Sequence, residues 1–147
     1  MKNKRVLKCK FKNDWNGYPI HEIPVDEIWR SVPKVETLMN KPFRQKLIHD
    51  IRRDGMYFPI MCVYTSHDDL INAKIKWGDK LEELPFWTNE LNPHKKFKWS
   101  VWGGSQRLEV ARDLNYTHID CAELPSIAKA ITLQKVMRQP FEKRYYS

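Results

Sequence analysis

Trp99-Ser100-Val101-Trp102-Gly103-Gly104-Ser105-Gln106-Arg107-Leu108-Glu109-Val110-Ala111-Arg112 reads as a strand, a two-glycine turn and the opening of a helix. Aromatic and β-branched residues make the strand, and the glycines end it. Leu108, Val110, Ala111 and Leu114 recur at helical spacing, and Asn115 suits a left-handed residue that closes the helix. The amides of Ser105, Gln106 and Arg107 then open a helix, where the dipole is positive and an anion is favoured. Glycine permits close approach of a phosphate to the backbone, and Arg107 adds a forked charge. Two readings stay open at this point: a phosphate seat, or an ordinary tight strand-to-helix turn with a surface arginine.

Working outward, His118–Leu124 reads as the next strand, and Pro125-Ser126 starts a helix carrying Ile127, Ala130, Ile131 and Met137 on one face. Upstream, Phe58-Pro59-Ile60-Met61-Cys62-Val63-Tyr64 is a nearly continuous apolar run, suited to a central strand covered on both faces. Residues 42–54 form a helix, with Pro42 at its start, Gly55 after its end and Phe43, Leu47, Ile48 and Ile51 on its apolar face. Arg44 falls inside that apolar arc, so it either snorkels past the core edge or enters a polar site. Ser66 to Leu84 reads as helical, opened by Ser66 and Asp69 in the manner of a capping box, with Leu70, Ile71, Ile75, Trp77, Leu81 and Leu84 as its stripe. Residues 5–12 alternate Leu7, Cys9 and Phe11 with Lys8, Lys10 and Lys12, the pattern of a half-buried strand. Asn16-Gly17 marks a turn, and Pro24 confines the strand around Ile20 and Ile23 to an edge or a short piece.

The chain has 147 residues with 41% hydrophobic and 12% aromatic content, so it can bury a core and is not compositionally disordered. It reads as one domain over 1–147, with an insertion at about 66–97 and a C-terminal helix and tail at 125–147. No apolar run is long enough to span a membrane and there is no signal peptide, so a cytoplasmic protein with no membrane partner is expected. The 3 cysteines and 5 histidines lack metal-ligand spacing, so no metal site built from them is expected and the thiols read as reduced. The formal net charge is +8, with lysine clusters at Lys8, Lys10 and Lys12 and at Lys95 and Lys96. Clustered cations favour contact with a polyanion such as DNA, although lysines along one strand also serve to protect a sheet edge.

The order of elements and three pieces of sequence resemble the ParB/sulfiredoxin superfamily. Ile23-Pro24-Val25-Asp26-Glu27-Ile28 is similar to its opening strand and turn. Phe43 through Tyr64 is similar to its helix, glycine and following strand, and Trp99 through Leu124 to its signature turn, helix and strand. The resemblance implies an α+β fold, a small mixed sheet flanked by helices, here with a helical insertion. Trp102, Gly103, Gly104, Ser105, Gln106 and Arg107 match the Phe-Gly-Gly-Cys-His-Arg active turn of sulfiredoxin, and Arg30 matches its second active-site arginine. Ser105 stands where that family has its cysteine, and a serine hydroxyl has no accessible anion near neutral pH, so sulfiredoxin chemistry is not expected. The ParB branch, which binds CTP, keeps Gly-Glu-Arg-Arg in this place, matched here by Gly104 and Arg107 only. Its helix-turn-helix and dimerisation modules find no counterpart, so specific DNA reading by that route is not expected.

The resemblance implies a nucleotide-binding module that also contacts nucleic acid. Gly103, Gly104, Ser105 and Gln106 would hold phosphate oxygens. Arg107 and Arg30 would neutralise them, with Arg44 auxiliary, and ATP or CTP would be the ligand, with Mg2+ if a triphosphate is bound. Lys8, Lys10, Lys12, Lys95 and Lys96 would meet nucleic acid. An alternative is phosphoryl transfer or nucleotide hydrolysis of the free-serine-kinase type, with Glu36 as base. A third reading is a non-catalytic protein-binding adaptor. A stand-alone chain of this size fits a virus or mobile element.

Overall fold

The fold was read from a computed structural model, in which the residues described are 3–29, 41–66, 68–69, 71–73, 75–76 and 98–133. The chain forms β1 (Val6–Leu7), β2 (Asp14–Trp15), β3 (Tyr18–Pro24), a 3-10 turn (Val25–Glu27) and β4 (Ile28–Trp29), followed by α1 (Lys41–Asp54) and β5 (Ile60–Tyr64). After β5 come β6 (Trp99–Gly103), α2 (Ser105–Asp113) and β7 (His118–Leu124). The strands make one mixed sheet in the order β2-β3-β7-β5-β6-β4, with β1 also pairing β7. The fold is α+β, as the sequence predicts. β5 lies between antiparallel β6 and parallel β7, which is the central position its unbroken apolar run requires.

The pleat divides the core. Ile60, Cys62, Val101, Ile119 and Cys121 face one side, where Leu47 and Ile51 of α1 and Leu108, Val110 and Ala111 of α2 cover them. Met61, Val63, Trp102, Ala122 and Leu124 face the other side, under Trp15, Ala73, Ile127, Ala130 and Ile131. Two hydroxyls are buried there without penalty because they are bonded. The Thr65 hydroxyl donates to the Val63 carbonyl at 2.8 Å and lies 3.0 Å from Ser100 Oγ, which accepts the Trp102 indole N–H at 2.8 Å.

The sheet is curled. β3 and β4 are four strand spacings apart in the sheet order, about 19 Å if flat, yet only Val25–Glu27 join them, and that length of chain spans at most about 14 Å. The His21 and Trp99 rings, on β3 and β6, accordingly lie 5.9 Å apart. Arg112 fastens the closure: its guanidinium donates to the Val25 carbonyl at 2.7 Å and the Ile28 carbonyl at 3.1 Å.

Turn chemistry follows the sequence closely. Asn16 and Gly17 both have positive φ, 52° and 83°, the backbone of the two-residue hairpin that joins β2 to β3. Asn115 is left-handed at φ 64°. The Tyr116 N–H returns to the Ala111 carbonyl at 2.9 Å and the Asn115 N–H to the Arg112 carbonyl at 3.0 Å, the two bonds of a Schellman cap. The Ser66 Oγ accepts the Asp69 N–H at 3.2 Å while Asp69 Oδ2 accepts the Ser66 N–H at 3.0 Å, so the expected capping box is present.

Three expectations are corrected. The strand over 5–12 is only Val6–Leu7. Beyond it the Cys9 N–H donates to the Asp120 carboxylate at 2.9 Å and the Lys10 N–H to the Tyr57 carbonyl at 3.1 Å, which removes the backbone from the ladder. The alternation of inward Cys9 and Phe11 with exposed Lys8, Lys10 and Lys12 survives, because it reports side-chain direction and not ladder bonds. In the insertion, Ile71 and Ile75 of the expected stripe are exposed and Ala73 is buried. Finally, α1 begins at Lys41, one residue before Pro42.

Asn115→Ala should lower stability by about 1 kcal/mol, because Ala lacks the short polar side chain that lets Asn tolerate the left-handed region, or about 2–4 °C in Tm. Asn115→Gly should leave Tm unchanged or raise it slightly. Thermal melts followed by circular dichroism check both.

Candidate functional site

The turn between β6 and α2 is built around Gly104, whose backbone is left-handed at φ 97° and ψ 28°. A Cβ there would come within 2.6 Å of Ile60 Cγ2 and 2.8 Å of an Arg107 guanidinium nitrogen. Glycine is therefore required twice, by conformation and by the approach of the central strand. At Gly103 a Cβ would collide with Met61 Cε. The side of each glycine that a Cβ would occupy is thus packed with protein.

α2 starts at once. The Leu108 N–H makes the first helical bond, to the Gly104 carbonyl at 3.0 Å. The amides of Ser105, Gln106 and Arg107 precede that rung. No capping side chain serves Gly104 and no acidic residue lies in the first turn, so the positive end of the dipole is not offset from within that turn. The Gln106 side chain is buried, which directs it into the molecule.

Arg107 turns back across the turn. Its guanidinium donates to the Phe58 carbonyl at 2.5 Å and the Pro59 carbonyl at 3.3 Å. These carbonyl oxygens hold the guanidinium beside the helix start. Bonds from a charged donor of this kind contribute about 1.5–3 kcal/mol. Arg44, expected to assist at this turn, is placed elsewhere. It forms an ion pair with Asp113, at the end of α2 remote from Gly104 by about 13 Å. Electrostatics explain this position: Asp113 is half-exposed and α1 brings Arg44 against it. Arg30, Glu36, Lys95 and Lys96 lie outside the described residues.

Lys8 is exposed and pairs with Glu22 at 3.3 Å, and Lys4 reaches the same carboxylate at 2.8 Å. These two ammonium groups, Lys4 foremost, hold the Glu22 carboxyl below its usual range. Lys10 and Lys12 are exposed with no ion pair among the described residues.

The cysteines are free. Burial, followed by the neighbouring Cys62, pushes the Cys121 thiol up, and burial does the same at Cys9. Both are therefore poor nucleophiles, and none of the cysteines stands at the glycine turn. Among the described residues no group of three or more His, Cys, Asp and Glu is arranged to hold a metal, and no helix is long and apolar enough to cross a membrane.

No family model matches the sequence, and no curated protein matches it by sequence. By structure the chain is similar to sulfiredoxin from Arabidopsis thaliana, at 17% identity and TM-score 0.44, over 79% of this chain and 96% of that one. It is also similar to the C-terminally truncated chromosome-partitioning protein ParB from Caulobacter crescentus complexed with CTP-gamma-S. That likeness has 11% identity and TM-score 0.52, over 81% of this chain and 52% of that one. The chain has a ParB/sulfiredoxin-like fold. It spans about half the length of the ParB structure.

Within this fold, two features escaped sequence reasoning. Arg112 is a half-buried clamp, and desolvation lowers its pKa against the opposing pull of Asp26. No local spacing marks it, because its acceptors are carbonyls more than eighty positions away. The other is an aromatic group at Tyr57 and Phe58, 62% and 41% exposed. Adjacent aromatics between Gly55 and Pro59 were a readable signal of it.

Gly104→Ala should destabilise by about 2–4 kcal/mol, because a positive φ and a steric collision combine. Gly17→Ala, at φ 83° with nothing within 4 Å, should lose only about 1–2 kcal/mol. Urea midpoints of the two variants separate the steric part from the conformational part.

Proposed function

We propose that this chain is a nucleotide-binding ParB-like module that also contacts nucleic acid. The observation that carries the reading is the start of α2. A positive helix end with no capping or acidic side chain of its own lies beside the Arg107 guanidinium, in a fold similar to a ParB protein complexed with CTP-gamma-S. Gly103, Gly104 and the amides of Ser105 and Gln106 form the phosphate seat. Arg107 and Arg30 supply the neutralising charge. Arg44, engaged by Asp113, is left out of the seat.

The ligand is a nucleoside triphosphate, CTP or ATP. Mg2+ would accompany a bound triphosphate and offset part of its charge, and phosphate-bound Mg2+ needs few protein carboxylates. Lys8, Lys10, Lys12, Lys95 and Lys96 meet the nucleic-acid backbone, and that contact weakens as salt rises.

Calorimetric titration of CTP, ATP and GTP tests the seat. Ser105→Asp is the sharpest variant. A carboxylate in the first turn favours the helix dipole by about 0.3–1 kcal/mol, so Tm should hold or rise, while repulsion of the triphosphate should weaken binding at least tenfold. Absence of saturable binding of all three nucleotides removes the reading. Steady release of phosphate that Glu36→Gln abolishes would move the assignment from binding module to hydrolase.

A further inference from the structure

Four aromatic rings gather where residues 8–12 run beside residues 55–58. Phe11 stacks on Phe58 at 6.2 Å with 15° between planes, and Tyr57 meets Phe58 edge-on at 4.8 Å. Trp15, buried at 4% exposure, anchors Phe58 from beneath at 6.1 Å. The backbone holds the two segments in register: the Lys10 N–H donates to the Tyr57 carbonyl at 3.1 Å and the Met56 N–H to the Lys8 carbonyl at 3.2 Å. Phe58 is fixed again through its carbonyl by Arg107. Yet Tyr57 and Phe58 remain well exposed. Two adjacent exposed rings held in place by their neighbours offer apolar area for a contact.

The surroundings say which kind. Lys8, Lys10 and Lys12 all project to solvent from the adjoining segment. Lys8 is partly neutralised by Glu22, while Lys10 and Lys12 have no ion pair among the described residues. Fixed aromatic faces beside ammonium groups that pair with no described carboxylate fit a ligand that carries flat rings and regularly spaced anions together. That is an unpaired nucleic-acid strand, whose bases lie on the rings and whose phosphates meet the lysines. A duplex offers only the phosphates, because its base faces are already stacked. An apolar protein surface would gain nothing from the lysines.

We infer that Tyr57 and Phe58, flanked by Lys10 and Lys12, form a stacking platform for single-stranded nucleic acid. This rests on the nucleic-acid half of the function proposed above and is separate from the nucleotide seat.

The test is fluorescence anisotropy of a labelled oligothymidylate with no 5′-triphosphate, against the unlabelled duplex of the same length. The full chain should bind the single strand more tightly than the duplex. Tyr57→Ala should weaken the single-strand affinity about tenfold without changing the thermal melt, and Tyr57→Trp should retain it. The Lys10→Ala, Lys12→Ala double variant should reduce the slope of log K against log salt by about 1.4, from about 0.7 for each phosphate contact. Equal affinity of Tyr57→Ala and the parent, equal binding of duplex and single strand, or no oligothymidylate binding at low salt would each overturn the inference. Binding of the oligothymidylate in the absence of any nucleotide binding would sink the phosphate seat and leave the platform standing, and the converse result would do the reverse.

Discussion

Contact between Gly104 and Ile60 decides where α2 begins. With no side chain at 104, the first turn of the helix sits directly on the central strand, and the left-handed backbone there swings the chain from β6 into the helix within one residue. Arg107 occupies the remaining space and reaches the carbonyls just before β5. The helix start, the strand start and the loop leading into it are therefore one mechanical unit. A shift in any of them must break charged hydrogen bonds or open a gap against Ile60. An anion seat gains from such fixity, because the donors are aligned before the ligand arrives and little ordering remains to be done on binding.

The far end of the helix is fastened as firmly by different means. Asn115 supplies the left-handed residue of the Schellman cap, Arg112 holds Val25 and Ile28, and Arg44 holds Asp113. Arg112 has a second consequence. By gripping the short connection between β3 and β4 it keeps the sheet curled, so that one face becomes a pocket filled by Ile23, Ile28, Ile60 and Cys121 beneath α1 and α2. The curl, the core and the orientation of α2 thus lean on a half-buried guanidinium held by two carbonyls, an arrangement whose loss would strand two acceptors.

Local signals made some of this legible and could not reach the rest. β5 was readable because an apolar run of strand length in a chain this size has few other places to go. The Asn16-Gly17 hairpin and the Asn115 cap were readable because positive φ selects the residue type. Periodicity failed at residues 8–12 for a physical reason: it records which way side chains face, whereas the ladder was lost to the Asp120 carboxylate and the Tyr57 carbonyl, far off in sequence. Arg44 shows the same limit. Its helical position marked it as odd, but the attraction of Asp113, 69 residues away, leaves no trace in the spacing. The glycine pair was legible as a tight turn. The cause of Gly104 is its packing against Ile60 and Arg107, which no local pattern displays. Arg30 and Glu36, named from the family resemblance, lie outside the described residues.

The loop from Gly55 to Pro59 joins the two regions proposed above as anion contacts. Its carbonyls at Phe58 and Pro59 are held by Arg107, beside the helix start, and its rings at Tyr57 and Phe58 rest against Phe11 and Trp15, beside the lysines. A phosphate that draws the Arg107 guanidinium toward itself would have to compete with the Phe58 carbonyl, and any loosening of that bond is felt by the ring on the same residue. Conversely, a base stacked on Phe58 would restrain the residue whose carbonyl positions Arg107. Each ligand would alter the ordering that the other must impose, which is the physical requirement for coupling between sites. Its sign follows from whether Arg107 keeps or releases Phe58 when phosphate is bound: retention makes the two ligands cooperate, and release sets them against each other.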